Sequence, residues 1–395
     1  MTIEGAAAGL ARRPIRLGMV GGGEGAFIGA VHRIAARLDG HYELIAGALS
    51  ATPEKALRSA AALGLAPERS YGSFAEMAGA ERARADGIEV VAITAPNHVH
   101  APAATAFLEA GIDVICDKPL ATSLAEALLL AKLANARRRI FAVTYNYTGY
   151  PMVRHARHLV ADGALGEIRL VQVEYPQDWL TEKLESTGQK QAAWRTDPAQ
   201  AGPGGCLGDI GTHAFHLAGF VAGIAPVELA ADLTTFVSGR RLDDNVQVLL
   251  RYASGARGML WASQVAPGNE NNLRLRVYGS KGGIEWRQER PNALRLSRFG
   301  ASTELLSRAT PAVGPAGSGV TRLPAGHPEG YLEAFATIYS EVAAAIRGEP
   351  GGAVTFPGIA DGLAGMAFIE AAHRSAAEGT RWIRISDGRW FPGSG

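Results

Sequence analysis

The chain has 395 residues, 47% of them hydrophobic and 19% charged, and its 39 basic against 38 acidic side chains leave a formal net charge of +1. That length allows two domains of ordinary size, and the near-neutral balance gives no electrostatic ground for a nucleic-acid or anionic-membrane partner. Two cysteines, Cys116 and Cys206, are too few for a disulfide scaffold, and no run approaches the ~18 continuous apolar residues of a membrane span. Arg12-Arg13 precedes an apolar stretch, but Arg16, a series of glycines and Glu24 interrupt it. The expectation is a strand and a turn rather than an export leader, in a reducing, cytoplasmic compartment.

In chain order, residues 15–20 form a short apolar segment that runs into Gly21-Gly22-Gly23-Glu24-Gly25-Ala26, after which residues 27–38 have helical spacing. The pattern Gly21-x-Gly23-x-x-Ala26 matches a dinucleotide fingerprint. One glycine turns the chain, the next lets backbone approach a pyrophosphate, and a small third residue lets helix pack on strand. The anion would sit on the helix N-terminus. Residues 42–49, 88–94, 113–116 and 140–144 read as further strands, and 53–63, 101–110 and 124–136 as helices, an alternation that implies a parallel, doubly wound sheet.

The end of the second strand should select the cofactor, because an acid there binds the ribose 2′-hydroxyl of NAD and repels the 2′-phosphate of NADP. Here it reads Ser50-Ala51-Thr52, with Lys55 close behind and no acid before Glu54, so NADP is favoured and NAD is the alternative. Ser50 and Thr52 also suit the cap of the next helix, with Pro53 at its first position. The following strands end in Thr94-Ala95-Pro96-Asn97-His98-Val99-His100 and in Asp117-Lys118-Pro119. Ligands of such sheets bind outside the carboxyl ends of the strands, which turns Thr94, Asn97 and His100 toward the cofactor and places the Lys118 ammonium against a reacting oxygen.

Farther on, Gly205-Cys-Leu-Gly-Asp209-Ile-Gly-Thr-His213 sets a carboxylate and an imidazole four residues apart, on one face if the stretch is helical. The pair is the basic equipment for moving a proton. Asp209, His213 and His216 at i, i+4 and i+7 also form a donor set acceptable to zinc, but metal binding explains neither the glycine turn nor Lys118, and no metal is expected. Tyr145, Asn146, Gln177, Trp194, Arg195 and His327 are candidates for a polyol pocket.

Residues 168–175, 227–237, 245–252, 256–265, 273–279 and 283–287 are β-rich and separated by short turns, which suggests antiparallel pairing. Residues 294–327 read as a long surface excursion, followed by helices at 329–347 and 358–377.

The glycine turn, Thr94-Ala95-Pro96-Asn97 with His100, Asp117-Lys118-Pro119 and Asp209-x-x-x-His213 resemble, in order and spacing, the Gfo/Idh/MocA oxidoreductases. The resemblance spans nearly the whole chain. It implies an α/β protein: a Rossmann domain at 1–147 and, at 148–395, a substrate-binding and oligomerisation domain with a large, mostly antiparallel open sheet. It further implies hydride transfer between NAD(P) and a hydroxyl or keto carbon of a sugar or cyclitol, with Lys118, Asp209 and His213 catalytic. Asn146, Gln177, Arg195, Asp209, His213 and His327 would meet the substrate, and Gly21, Gly23, Ala26, Ser50, Lys55, Thr94, Asn97, His100 and Lys118 the cofactor. His213 would act as base, oriented by Asp209, and a homodimer or homotetramer would form through the second sheet. Departures are Asp117 where Glu is usual, His216 where many members carry Asp, and a tail from Trp382 to Gly395 that falls outside the resemblance. Two alternatives keep the fold: a glycoside hydrolase or epimerase whose bound cofactor cycles without net redox change, and a nucleotide-binding regulator.

Overall fold

The computed structural model describes residues 13–349 and 356–385. Its first layer runs β1 (Ile15–Gly21), α1 (Phe27–Leu38), β2 (Tyr42–Ala48), α2 (Pro53–Ala62), α3 (Phe74–Arg82), β3 (Val90–Thr94), α4 (Asn97–Glu109), β4 (Asp113–Cys116), α5 (Leu124–Arg137) and β5 (Phe141–Val143). The strands pair in parallel in the order β2-β1-β3-β4-β5. Every residue of β3, β4 and β5 is buried, as continuous apolar strands between two helical layers require. The chain leaves β1 on one side for β2 and returns on the other for β3, so a crevice opens where the carboxyl ends of β1 and β3 part. Gly21 and Thr94 face each other across that point. Helix α3, absent from the expected elements, starts at a Ser73 cap whose hydroxyl accepts the Glu76 N–H.

The second layer comprises α6 (Pro151–Ala161), β6 (Ile168–Pro176), α7 (Lys190–Arg195), α8 (Pro198–Ala201), α9 (Thr212–Ala222), β7 (Pro226–Thr234), β8 (Asn245–Tyr252), β9 (Arg257–Ser263), β10 (Arg274–Gly279), β11 (Gly282–Arg287), β12 (Ala293–Arg298), β13 (Glu304–Ser307), α10 (Pro315–Ser318), α11 (Tyr331–Ile346), α12 (Ile359–Ala377) and β14 (Ile383–Arg384). Nine strands form one sheet, β13-β12-β11-β10-β6-β9-β8-β7-β14. All pair antiparallel except β6 with β9. Helices α6, α9 and α12 cover one face. On the other, Leu170, Leu249, Met259 and Tyr278 stay exposed.

Two expectations are corrected. The excursion at 294–327 contains β12 and β13, whose alternating Leu294, Leu296 and Leu306 are buried. Part of the unmatched tail is a ninth strand: β14 pairs Ile383 with Leu229, and Arg251 lies 3.7 Å over the Trp382 ring; residues 386–395 lie outside the described residues. One hydrophobic core crosses the boundary expected after residue 147. Phe335, Ile338, Tyr339 and Val342 of α11 share one core with Ile15, Leu17, Met19 and Val90, because α11 packs along α1. Among the described residues no helix is long and apolar enough to cross a membrane.

Candidate active site

The glycine turn is built for close approach. Gly21, Gly22 and Gly25 all have φ near +70°, a region that favours glycine. A β-carbon on Gly23 would meet the Leu49 carbonyl oxygen at 2.6 Å. The residue that lets helix and turn touch is Gly29, not Ala26: a β-carbon there would overlap the Gly22 backbone, whereas Ala26 is the half-buried residue before α1. Helix α1 begins with no side-chain cap and no acid in its first turn. Uncapped N–H groups and the positive end of the helix dipole suit an anion, so these residues fit a dinucleotide pyrophosphate.

Beyond β2, the Ser50 hydroxyl accepts the Thr52 N–H at 3.2 Å, a local turn bond, and the Thr52 side chain caps nothing. Lys55 is half-buried. The Thr94 hydroxyl donates to the Val20 carbonyl at 3.2 Å, joining the two strand ends at the crevice. Asn97 and His100, expected to face the cofactor, are engaged elsewhere. Helix α4 starts at Asn97, which folds both residues into its first turn. The Asn97 amide then donates to the Ala201 carbonyl of α8 at 2.8 Å. Both ring nitrogens of His100 lie 2.8 Å from carbonyls, those of Pro119 and Ala95. Asn97 thus clamps the two layers together, and His100 fixes the turn that carries Lys118.

That turn rests on Asp117. Its carboxylate is met by His32 of α1 at 3.1 Å and by the Thr144 hydroxyl. Burial pushes the carboxyl up, but His32 and these hydrogen bonds bring it down to about 2. His32 in turn meets the Tyr339 hydroxyl of α11 at 2.8 Å.

Lys118 then reaches across the layers. Its ammonium donates to the Asp209 Oδ1 at 2.9 Å and to the Asp209 carbonyl. The other oxygen, Oδ2, accepts Arg195 Nε at 3.2 Å and Gln264 Nε2 at 2.9 Å. Burial works against the charge of Asp209, but Lys118 and Arg195 hold its carboxyl well below the usual range, so it stays an anion and cannot act as a proton acceptor near neutrality. Its backbone differs from the helical expectation: 207–211 is a π-helical turn, and the α-helix starts only at Thr212. Inserted turns of this kind occur often at functional sites, and here the turn delivers Asp209 to Lys118.

His213, in the first turn of α9, makes no hydrogen bond with Asp209, which corrects the expected carboxylate–imidazole pair. Its Nδ1 is buried without a partner. Three tyrosine rings surround it: Tyr147 at 4.9 Å, Tyr145 at 5.7 Å and Tyr175 at 6.5 Å between centroids. Burial, with Lys118 second, lowers its pKa well below the ordinary imidazole value, so the ring is neutral near pH 7 and able to accept a proton.

The other expected contacts divide. Arg195 joins the site on Asp209 and stacks on Trp194 at 4.2 Å. Asn146 is buried in the turn after β5, between Tyr145 and Tyr147 in sequence, with an unpartnered amide nitrogen. Gln177 donates to Asn271 at 2.7 Å and accepts from Trp179. Asn271 also accepts from Tyr175, linking this group to the cage. His327 is not brought in. It is exposed on the loop before α11, where Arg308 gathers the carbonyls of Leu323, Pro324 and His327. His216 turns to Asp361 of α12 at 2.9 Å and stacks flat on Tyr145, so the three donors at 209, 213 and 216 do not converge. Among the described residues no cluster of three His, Cys, Asp or Glu is arranged to hold a metal ion. Gln264, Tyr147, Tyr175, His32 and Gly29 were missed. None belongs to a motif, and only Gly29, a glycine inside a helix, gave a readable sign.

A doubly wound sheet with a glycine-lined, uncapped helix end and a lysine on the turn after its fourth strand, met by a carboxylate and an imidazole from the helical segments of the second layer, defines a two-domain dinucleotide-binding oxidoreductase. The chain belongs to the GFO/IDH/MocA family: residues 15–145 match the oxidoreductase-family NAD-binding Rossmann fold and 153–285 the GFO/IDH/MocA C-terminal domain. It is 54% identical to the crystal structure of an oxidoreductase from Sinorhizobium meliloti, over 94% of this chain and all of that one, with a TM-score of 0.86. An inositol dehydrogenase homolog from Azotobacter vinelandii, complexed with NADH and myo-inositol, is 35% identical over 94% and 98% of the two chains, with a TM-score of 0.88. The levoglucosan dehydrogenase of Pseudarthrobacter phenanthrenivorans is 29% identical over 75% of this chain and 80% of its own.

Proposed function

We propose that this oxidoreductase is an NAD(P)-dependent dehydrogenase of a CH–OH group in a sugar, sugar derivative or cyclitol. The observation that carries the reading is the convergence, beside the crevice, of the Lys118 ammonium and a neutral, buried His213. The myo-inositol and levoglucosan relatives support a polyol substrate. The α1 end and the glycine turn would hold the dinucleotide, which when bound supplies hydride acceptance or donation. His213 takes the proton of the substrate hydroxyl, Lys118 donates a hydrogen bond to the same oxygen and stabilises its developing negative charge, and Asp209, gripped by Arg195 and Gln264, keeps the ammonium in place. The absence of an acid after β2 favours NADP, with NAD, the cofactor of the relatives' complexes, as the alternative.

Two further parts of the proposal concern the setting. Two copies of the chain pair through the open sheet face, where Leu170, Leu249 and Met259 are exposed on the same sheet that carries Arg274, ion-paired to Glu174 and Glu285; a surface offering apolar area and both signs of charge can match its own copy across a two-fold axis. The protein works in the cytoplasm, in keeping with two buried, unpaired cysteines.

The test is absorbance at 340 nm with purified protein, crossing cyclitols, aldoses and anhydrosugars with NAD and NADP. Reduction with one polyol supports the reading. A protein that is silent across the panel, carries nucleotide already bound and cleaves glycosides would replace it with a closed redox cycle.

A further inference from the structure

A catalytic histidine normally has its tautomer and orientation set by the hydrogen bond that its second nitrogen makes. His213 has no such bond. The nearby carboxylate is engaged by Lys118, Arg195 and Gln264, and Nδ1 is buried without a partner. What surrounds the ring is aromatic. Tyr147 meets it nearly at right angles, 78° at 4.9 Å, and Tyr145 does so at 85° and 5.7 Å.

The Tyr147 ring is itself held from both ends. Its hydroxyl pairs with that of Tyr175, which donates to Asn271 Oδ1 at 2.7 Å. Its face lies parallel to Tyr150 at 6.1 Å, and Tyr150 packs on Trp286 at 5.3 Å. The cage is therefore anchored to β6, β11 and the segment before β10, and cannot rotate with the imidazole.

We infer that Tyr147 is a positioning residue for His213: its ring, with those of Tyr145 and Tyr175, replaces the usual carboxylate in fixing the imidazole, leaving the Nδ1 proton against aromatic faces and Nε2 as the base. A ring face accepts an N–H weakly, which gives the orphaned nitrogen a partner. Because Nδ1 is buried, Nε2 is the ring nitrogen able to meet a ligand. The same rings exclude water from the imidazole. The ionisable groups facing it are Lys118 and Asp117 from the turn after β4, Asp209 from the π-helical turn and His216 one turn on. Among these Lys118 and His216 oppose the imidazolium and the two carboxylates favour it.

The inference rests on His213 being the base of the proposed reaction, so its test has one readout that needs no substrate. Histidine 15N NMR of the wild-type protein at neutral pH should show His213 as a single Nδ1–H tautomer; an Nε2–H tautomer, or a mixture, overturns the inference. The second readout is the pair Tyr147→Phe and Tyr147→Leu, with folding checked by thermal melting and dinucleotide Kd. The Phe variant keeps the ring and should hold kcat within a few-fold. The Leu variant should lose on the order of 10²-fold in kcat, as a misplaced catalytic group does, with Kd for the dinucleotide unchanged and the acid limb of the pH profile moved up toward about 6.5. Equal loss in both variants would assign the effect to the hydroxyl pair and sink the cage, as would a Leu variant with unchanged kcat and pH profile. A protein inactive on every polyol, yet showing the Nδ1–H tautomer, would count against the dehydrogenase reading and leave the cage standing.

Discussion

Substituting Gly29 by alanine isolates the cofactor cradle from the rest of the site. Gly29 is buried in the first turn of α1, where an added β-carbon would lie 2.7 Å from the Gly22 carbonyl carbon and nearer still to its Cα and oxygen. Ordinary contact between such atoms is roughly 3.5 Å or more, so the turn and the helix must part by about 1 Å. Two opposing terms set the stability change. Alanine in a helix interior gains about 1 kcal/mol over glycine, whereas overpacking costs typically about 1–3 kcal/mol. The net loss should therefore be no more than about 2 kcal/mol, and the protein stays folded. Dinucleotide binding has no compensating term, because the helix end and the glycine turn must present their N–H groups together. A tenfold weakening, equivalent to about 1.4 kcal/mol, is the smallest effect expected. Titration of NADH and NADPH by fluorescence, alongside a thermal melt, measures both quantities. A variant that binds dinucleotide as tightly as the parent would refute the assignment of this turn as the pyrophosphate site.

Lys118→Met should lower kcat by on the order of 10²–10³, the usual effect of removing one oxyanion donor, while dinucleotide Kd stays measurable; unchanged turnover would remove Lys118 from the mechanism. Because Lys118 is one of the groups that lower the His213 pKa, the same variant should raise the His213 titration midpoint in NMR. Ser50→Asp should move preference from NADP toward NAD, read as the ratio of kcat/KM values, by placing a carboxylate where a 2′-phosphate would lie; no movement means that selection lies outside this turn. The buried Asp243 accepts the N–H groups of Gly205 and Leu207 at 2.7 Å each, and burial pushes its carboxyl up to about 6, from an ordinary 3.8. The folded state thus binds this proton more tightly than the unfolded chain. The resulting stabilisation is complete below about pH 4 and is lost as pH rises through about 6. Denaturant titrations of Asp243→Asn between those values should show a flatter pH dependence than the parent, and equal slopes would contradict the assignment.

Local rules made much of the first layer legible. The alternation of apolar runs and helical spacing, the glycines after β1 and the acid-free first turn of α1 follow from backbone and hydrogen-bond requirements that act within a few residues. Lys118, Asp209 and His213 could be singled out for the same reason: each sits in a short motif whose residue types limit what it can do. The second sheet was readable strand by strand where turns are tight, but β12, β13 and β14 were not. β13 and β14 are the two edges of the sheet and β12 lies next to one of them, so all three are recognisable only by pairing with a neighbour. Partnership between distant residues was beyond the sequence altogether. Asp209 and His213 looked like a pair because they lie four residues apart, yet the π-helical turn sends the carboxylate to Lys118, 91 positions away, and leaves the imidazole among tyrosines from the turn after β5 and from β6. Gln264 reaches Asp209 only because β9 ends beside it, and His32 meets Asp117 only because the fold brings α1 to the turn after β4. The sequence by itself determined the kinds of chemical groups available and the layer each belongs to. Which of them touch was decided by the tertiary structure, because burial desolvates each polar group and leaves it stable only against the partner that packing brings within hydrogen-bond reach.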